Sequence, residues 1–275
     1  MIETKIGRLR TALKDLLTQH ELAGTLPTSA RFLFYELVAA GVISKERHGA
    51  RRPDQDMNDA LISLRESGDV EWEWIVDETR SLADWRGAAS VREWVLDVLE
   101  QARVDPWLGD APQVITESRS LAGVLRVLAR RYAIPIAATN GQVGGFLHTV
   151  IAPALHAGQH VLYLGDLDLA GDQIEAHTRR VLERAVGELA WERLAVTQQQ
   201  VHDHGLTPIV KGDRRYADGG AHEAVETEAL RQEVIVEILR GRLDELLPEP
   251  LARVLGREAA QRRRLAGLLG QQGEL

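Results

Sequence analysis

The chain of 275 residues predicts an α/β protein in two parts: an N-terminal α(+β) unit over 1–105, then a parallel-sheet unit over 106–275 that ends in helices. Three observations carry that expectation. Apolar residues recur at three- and four-residue spacing up to about residue 105. From residue 113 short greasy strands alternate with amphipathic helices, the pattern of a parallel sheet covered on both faces. Two long helical segments then close the chain.

Each element has its own signal. IGRLRTALKDLLTQHEL spaces its apolar residues for a helix. PTSARFLFYELVAAGVI opens on Pro27, Thr28 and Ser29, good helix-start residues, and meets Gly41 near its end. On its helical wheel Phe34, Leu37, Val38 and Gly41 make the buried stripe, with Tyr35 on the flank beside Arg31. PDQDMNDALISLRESG starts at Pro53 and Asp54 and stops at Gly68. VEWEWIVDE alternates apolar and acidic residues, which predicts a half-buried strand. Helix, helix, helix, strand is the order of a winged helix-turn-helix, so a winged-helix DNA-binding domain is expected over 1–105.

Downstream, QVITE predicts a strand and SLAGVLRVLARRY a helix. IPIAAT predicts a strand, NGQVGG a glycine-rich turn and FLHTVIAPALHAG a helix. HVLYLGD is a strand, DQIEAHTRRVLERAV a helix and RLAVT a further strand, an order that reads as Rossmann-like. HEAVETEALRQEVIVEILRGRLDELL and PLARVLGREAAQRRRLAGLL are expected helices, and Glu226 and Glu228 are read as acids favoured by the dipole at a helix start. Residues 200–222 are expected to be the least structured, with His202 and His204 in a loop.

Composition narrows the function classes. A content of 44% hydrophobic and 27% charged residues suits a soluble chain with ample core. No apolar run approaches membrane-spanning length, and MIETKIGRLR lacks the apolar stretch of a signal peptide, so a cytoplasmic location is expected. Zero cysteines exclude disulfides, thiolate zinc sites and cysteine nucleophiles. The net charge of −8 argues against coating nucleic acid through the whole surface. It leaves room for a local basic stretch: Arg31, Lys45, Arg47, Arg51 and Arg52 face only Glu36 and Glu46 between residues 28 and 52, and arginine is the better bidentate phosphate partner.

The chemistry sits where two strands end in acid. QVIT runs into Glu117, and VLYLG runs into Asp166 and Asp168. In an open parallel sheet the carboxyl ends of the strands form the ligand edge. Carboxylates converging there repel one another unless a cation lies between them. All-oxygen ligands suit Mg²⁺ or Mn²⁺ rather than zinc. Gly171 fits a tight turn into the next helix, leaving room for a phosphate.

These residues resemble a known module. Glu117 after a strand, then Asp166-Leu-Asp168-Leu-Ala-Gly171, looks like the Toprim domain shared by topoisomerases, primases and some nucleases. TESRSLAGVL and NGQVGGF are similar to stretches of the topoisomerase VI A subunit and Spo11. TSARFLFY resembles a Thr-x-Arg-x-x-Tyr-Tyr stretch of that group, with Phe34 at the first aromatic position and Tyr35 at the second; Leu169 stands where the family usually has proline. The resemblance implies that Tyr35 attacks a DNA phosphodiester, with Arg31 beside it favouring the phenolate and binding the phosphate. It implies Mg²⁺ on Glu117, Asp166 and Asp168, and a homodimer in which one protomer's tyrosine works with the other's metal site. No G-x-x-x-x-G-K-S/T occurs, so an ATP-driven step would need an ATPase partner chain. Two alternatives stay open: a Toprim nuclease that uses water, similar to the nuclease of the Wadjet plasmid-defence system, and a non-catalytic DNA-binding subunit. Trp72, Trp74 and Trp85 are candidates for stacking on bases, and Lys211, Asp213 and Arg215 resemble a segment of unknown role in bacterial relatives.

Overall fold

A computed structural model describes residues 5–45, 52–76, 87–141, 144–212 and 221–271. Helices α1 (Lys5–Ala23), α2 (Ala30–Ala39) and α3 (Pro53–Glu66) bury Leu9, Leu13 and Leu17 against Leu33, Leu37, Met57, Leu61 and Leu64. Ser29 starts α2 by accepting the Phe32 amide at 3.2 Å. The buried stripe of α2 is Phe32, Leu33 and Leu37, one position off the stripe expected from the wheel, and Phe34 and Val38 are only half-buried. The shift follows from α2 packing on two sides at once, with Leu33 toward α1 and α3 and Phe32 toward the sheet.

Over the described residues 70–76 the strand expected from VEWEWIVDE does not form. Trp72–Trp74 is a 3-10 turn, and Ile75 makes only an isolated bridge to Thr28. Arg65 at the end of α3 donates to the Trp72 carbonyl at 2.6 Å and lays its guanidinium 4.1 Å from the indole ring, which keeps the chain curled. Among the described residues this unit has helices and no strand. Helix α4 (Val91–Gln101), which the sequence reading did not single out, follows; just beyond it the Val104 amide donates to buried Glu258 at 2.9 Å.

The second part alternates as expected: β1 (Gln113–Thr116), α5 (Arg119–Tyr132), β2 (Ile136–Ala138), α6 (Gly144–Phe146), β3 (His160–Leu164), α7 (Leu169–Val186) and β4 (Ala190–Ala195). The strands form a four-stranded parallel sheet in the order β2-β1-β3-β4. Side chains alternate between its faces. Val114, Leu162 and Leu164 meet Leu121, Leu125 and Leu128 of α5 on one side. On the other, Ile115, Val161 and Tyr163 meet Leu147, Ile151 and Leu182. The helix expected over FLHTVIAPALHAG is broken up: α6 passes into a π turn at Leu147–Ile151 and a 3-10 turn at Ala152–Ala154. Pro153 has no amide to donate and so cannot extend an α ladder.

Two further expectations fail between residues 198 and 232. The stretch 200–222, read as least structured, holds most of α8 (Gln198–Asp203), which includes His202, the strand β5 (Ile209–Gly212) and the start of its antiparallel partner β6 (Ala221–Ala224), while residues 213–220 lie outside the described residues. The helix expected from His222 begins only at α9 (Gln232–Leu246), followed by α10 (Leu251–Gln271). Val225 is the reason: its amide and carbonyl pair with Leu167 at 3.0 and 2.8 Å, so this backbone is committed to the loop after β3.

The helical part and the sheet share a core. Phe32 of α2 is fully buried in the cluster that holds α5, β1, β3 and Ile235 and Leu239 of α9. Gln232 donates to the Pro27 carbonyl at 3.2 Å and also to that of Thr25. Phe32→Ala is therefore expected to cost about 3–4 kcal/mol, read as a lowered midpoint in urea denaturation of the whole chain. No helix among the described residues is long and apolar enough to cross a membrane.

Candidate functional site

From β1 the chain moves outward to β2, and from β3 it moves the opposite way to β4, so β1 and β3 flank the point where the sheet order reverses. Crevices at the carboxyl ends of such strands are where open α/β sheets bind ligands. Glu117 and Asp166 stand there together. The Glu117 amide donates to Leu164 at 2.9 Å, and the Asp166 amide donates to the Glu117 carboxylate at 3.2 Å. Asp168 caps α7, its Oδ1 accepting the Gly171 amide at 2.8 Å. A Cβ on Gly171 would lie 2.2 Å from the Asp166 carbonyl oxygen, so this loop closes only over glycine.

The loop is also held from β4. Arg193 donates to the carbonyls of Gly165 at 3.2 Å, Asp166, and Val196 at 2.9 Å, while pairing with Glu175. In the sequence Arg193 follows Glu192 in the half-buried start of this strand and carries no local sign of that role.

Glu226 and Glu228 are the larger omission. They belong to the Thr227–Ala229 turn rather than to a helix start, and the turn is fastened to the site. The Thr227 amide and hydroxyl donate to Asp166 Oδ1 at 2.8 and 3.0 Å. Glu228 is 1% exposed. Its Oε1 accepts from Ser118 at 2.7 Å and Ser120 at 3.0 Å, and faces Arg31 Nε at 3.1 Å. Its Oε2 is buried without a hydrogen-bond partner. Arg31 reaches in from α2 and also pairs with Glu226 at 3.3 Å. The signal available in the sequence was the Glu-Thr-Glu spacing, the same as in Asp-Leu-Asp.

The charges of these groups act on one another. Burial would lower the Arg31 pKa, yet Glu228, Glu226, Asp166 and Glu117 around it outweigh that and hold it above its ordinary value. Burial first, and then Asp166, pushes Glu117 up to about 7 against a hydrogen bond from the Asp166 amide. Because the folded value lies above the unfolded 4.5, the fold keeps a proton that the unfolded chain releases, and stability falls as pH rises from about 4.5 to about 7. Glu117→Gln removes that cost. In EDTA it is expected to be more stable than the wild type at pH 8 by about 2 kcal/mol, allowing for the screening of a partly exposed carboxyl, with no advantage at pH 4. Chemical denaturation at the two pH values measures this.

Tyr35 lies on α2 one turn beyond Arg31. Its ring sits 4.1 Å from Lys45 Nζ and 6.0 Å from the Arg31 guanidinium, with Phe34 edge-on at 5.5 Å. Arg31, Phe34, Tyr35, Lys45, Met57 and Glu226 line a cavity of about 530 Å³. Arg52 is exposed and pairs with Asp54 at 3.4 Å. Arg47, Arg51, Trp85, Asp213 and Arg215 lie outside the described residues. Trp72 is half exposed and stacks on Arg65, while Trp74 packs against the helical core.

As the side chains stand, no three His, Cys, Asp or Glu residues among those described are gathered around one point to hold a metal. Arg31 serves as the cation of the cluster, Thr227 draws on Asp166, and Gly171 draws on Asp168. In kind, though not in arrangement, the donors suit a hard divalent ion: every candidate atom is a carboxylate oxygen, and one guanidinium faces two of these carboxylates. No protein-family model, no curated protein and no solved structure matches the chain.

Proposed function

We propose that the chain is an Mg²⁺- or Mn²⁺-dependent DNA-cleaving enzyme resembling the topoisomerase VI A subunit, with a Toprim-type sheet and Tyr35 as nucleophile. The observation that carries the reading is the meeting of Glu117 and Asp166 across neighbouring strands at the reversal point of the sheet. Glu117, Asp166 and Asp168 would hold the ion, which supplies charge neutralisation on the transferring phosphoryl and the leaving oxygen. Tyr35 Oη attacks phosphorus, and the new bond replaces the one to the deoxyribose oxygen, leaving the DNA end joined to the protein. Arg31 and Lys45 flank that ring and match the negative phosphate, and the exposed Arg52 adds a further cation for the DNA backbone. The cavity beside Tyr35 combines cations with aromatic rings, which suits a nucleotide: stacking for the base, guanidinium and ammonium for the phosphate. The enzyme works as a homodimer in this reading, each protomer cutting one strand, and an ATP-driven step falls to an ATPase partner.

A second reading is favoured by one contact. The Arg31 guanidinium is engaged by Glu226 and Glu228 rather than reserved for the Tyr35 phenol, which suits a nuclease that activates water at the same carboxylates. One experiment separates them. Purified protein is incubated with supercoiled plasmid and Mg²⁺, then denatured and searched for protein-linked DNA. Adduct is expected; free ends without adduct select the water reading, and intact plasmid rejects both.

A further inference from the structure

We infer that α4 and the last turns of α10 form the face through which two copies of this chain join; this names an interface for the homodimer of the reading above and rests on it. The apolar stripe of α10 outruns the body that covers it. Leu251, Val254 and Glu258 are buried at helical spacing, and the same stripe continues through Arg262 to Leu265 and Leu269. Beyond Arg262 the cover ends. Leu265 is exposed, Leu268 beside it is 54% exposed, and Leu269 is half-buried.

Helix α4 lies against α10 and leaves that face open. The Val104 amide meets Glu258, and the Ala102 carbonyl accepts from Arg262 at 3.0 Å, so as the chain steps back toward α4 its partner on α10 steps forward. That sense sets α4 antiparallel to the last turns of α10, and the two helices touch. No residue of α4 is buried. Val95, Leu96 and Leu99 are half-buried, while Val91 at 80%, Trp94 at 56% and Val98 stand in solvent along one side of the helix. Neighbouring exposed apolar side chains of this kind mark an interaction face, and tryptophan is among the residues that anchor one.

The charges select a second copy as the occupant. Along α4 the apolar stripe is edged by Glu93, Asp97 and Glu100, and the exposed end of α10 carries Arg263 and Arg264. Asp97, Glu100, Arg263 and Arg264 have no ion pair among the described residues. One half of the face is therefore acidic and the other basic. A partner of uniform charge, such as an anionic membrane or a nucleic acid, is repelled by one half. A two-fold axis turns such a face onto itself with acid against base, and each contact occurs twice. Two antiparallel helix pairs then close as a four-helix bundle, Leu265 and Leu268 of one copy covering Trp94 and Val98 of the other. Apolar burial drives the association, and the charges at its rim fix the orientation.

The test is sedimentation velocity of the full chain over a micromolar concentration series. Wild type is expected to be a dimer, and Trp94→Glu and Leu268→Glu are each expected to weaken it at least tenfold. Asp97→Arg with Glu100→Arg should weaken it too, and adding Arg263→Glu with Arg264→Glu should restore it, since acid again meets base across the axis. A dimer that Trp94→Glu and Leu268→Glu leave intact overturns the inference, and the homodimer then keeps another interface. A dimer that the fourfold charge reversal does not restore overturns it as well. A wild type that stays monomeric overturns it together with the homodimer, and leaves the metal and tyrosine chemistry to the plasmid assay. Should Trp94→Glu or Leu268→Glu fail to fold by circular dichroism, the charge reversal decides, because an unfolded chain is not restored by further charge changes.

Discussion

Asp166→Asn is expected, on the proposed reading, to lower Mg²⁺-dependent plasmid cleavage on the order of a thousandfold, the loss of about 4 kcal/mol of transition-state stabilisation that would follow if a charged ligand of the ion became neutral. Asparagine is chosen because Asp166 has two roles. Its Oδ1 anchors the Thr227 turn by accepting an amide and a hydroxyl, and an asparagine carbonyl keeps both bonds. The fold should therefore stay within about 1 kcal/mol of wild type. Alanine would cut both roles at once and confuse lost chemistry with a loosened Glu226–Glu228 turn. Gel-resolved cleavage rates over an Mg²⁺ series, with melting temperatures for both proteins, make the measurement. A variant as fast as wild type, at any Mg²⁺ concentration, would remove Asp166 from the chemistry.

The strand-end acids were legible because local rules and global structure agree there. VLYLG is buried on both faces, so its apolar run is continuous, and the first acid after it must sit at the sheet edge. Gly171 was legible for a related reason, since only hydrogen fits against the Asp166 carbonyl. Glu226 and Glu228 were illegible because their neighbours Ala229, Leu230 and Arg231 are good helix formers, and the contact that overrides them is long-range: Val225 with Leu167. The Trp72–Trp74 turn misled in the same way. A period of two in VEWEWIVDE is equally compatible with a curl held by Arg65, and nothing local distinguishes the two. Arg31 was legible as a partner of Tyr35 from its spacing of four, yet its engagement with Glu226 and Glu228 depends on how α2 seats against the Thr227–Ala229 turn, which no local pattern encodes.

Tyr35→Phe is expected to abolish the protein–DNA adduct completely and to slow cleavage on the order of a thousandfold or more. Phenylalanine preserves what the tyrosine ring does for the fold. The edge contact with Phe34 and the Lys45 ammonium 4.1 Å from the ring both need only the aromatic face. Stability and DNA binding should therefore match wild type, and the lost hydroxyl alone accounts for lost chemistry. A phenol near its ordinary pKa is a weak nucleophile at neutral pH, and the cations beside this ring are what would draw off its proton. Replacing Lys45 by methionine should then reduce adduct formation by roughly tenfold while leaving the ring packed. Labelled DNA retained on denatured protein after gel filtration reads both variants. If Tyr35→Phe cleaves as well as wild type while Asp166→Asn does not cleave, the attacking oxygen comes from water, and the Arg31 contact with Glu226 and Glu228 takes its place as part of a nuclease.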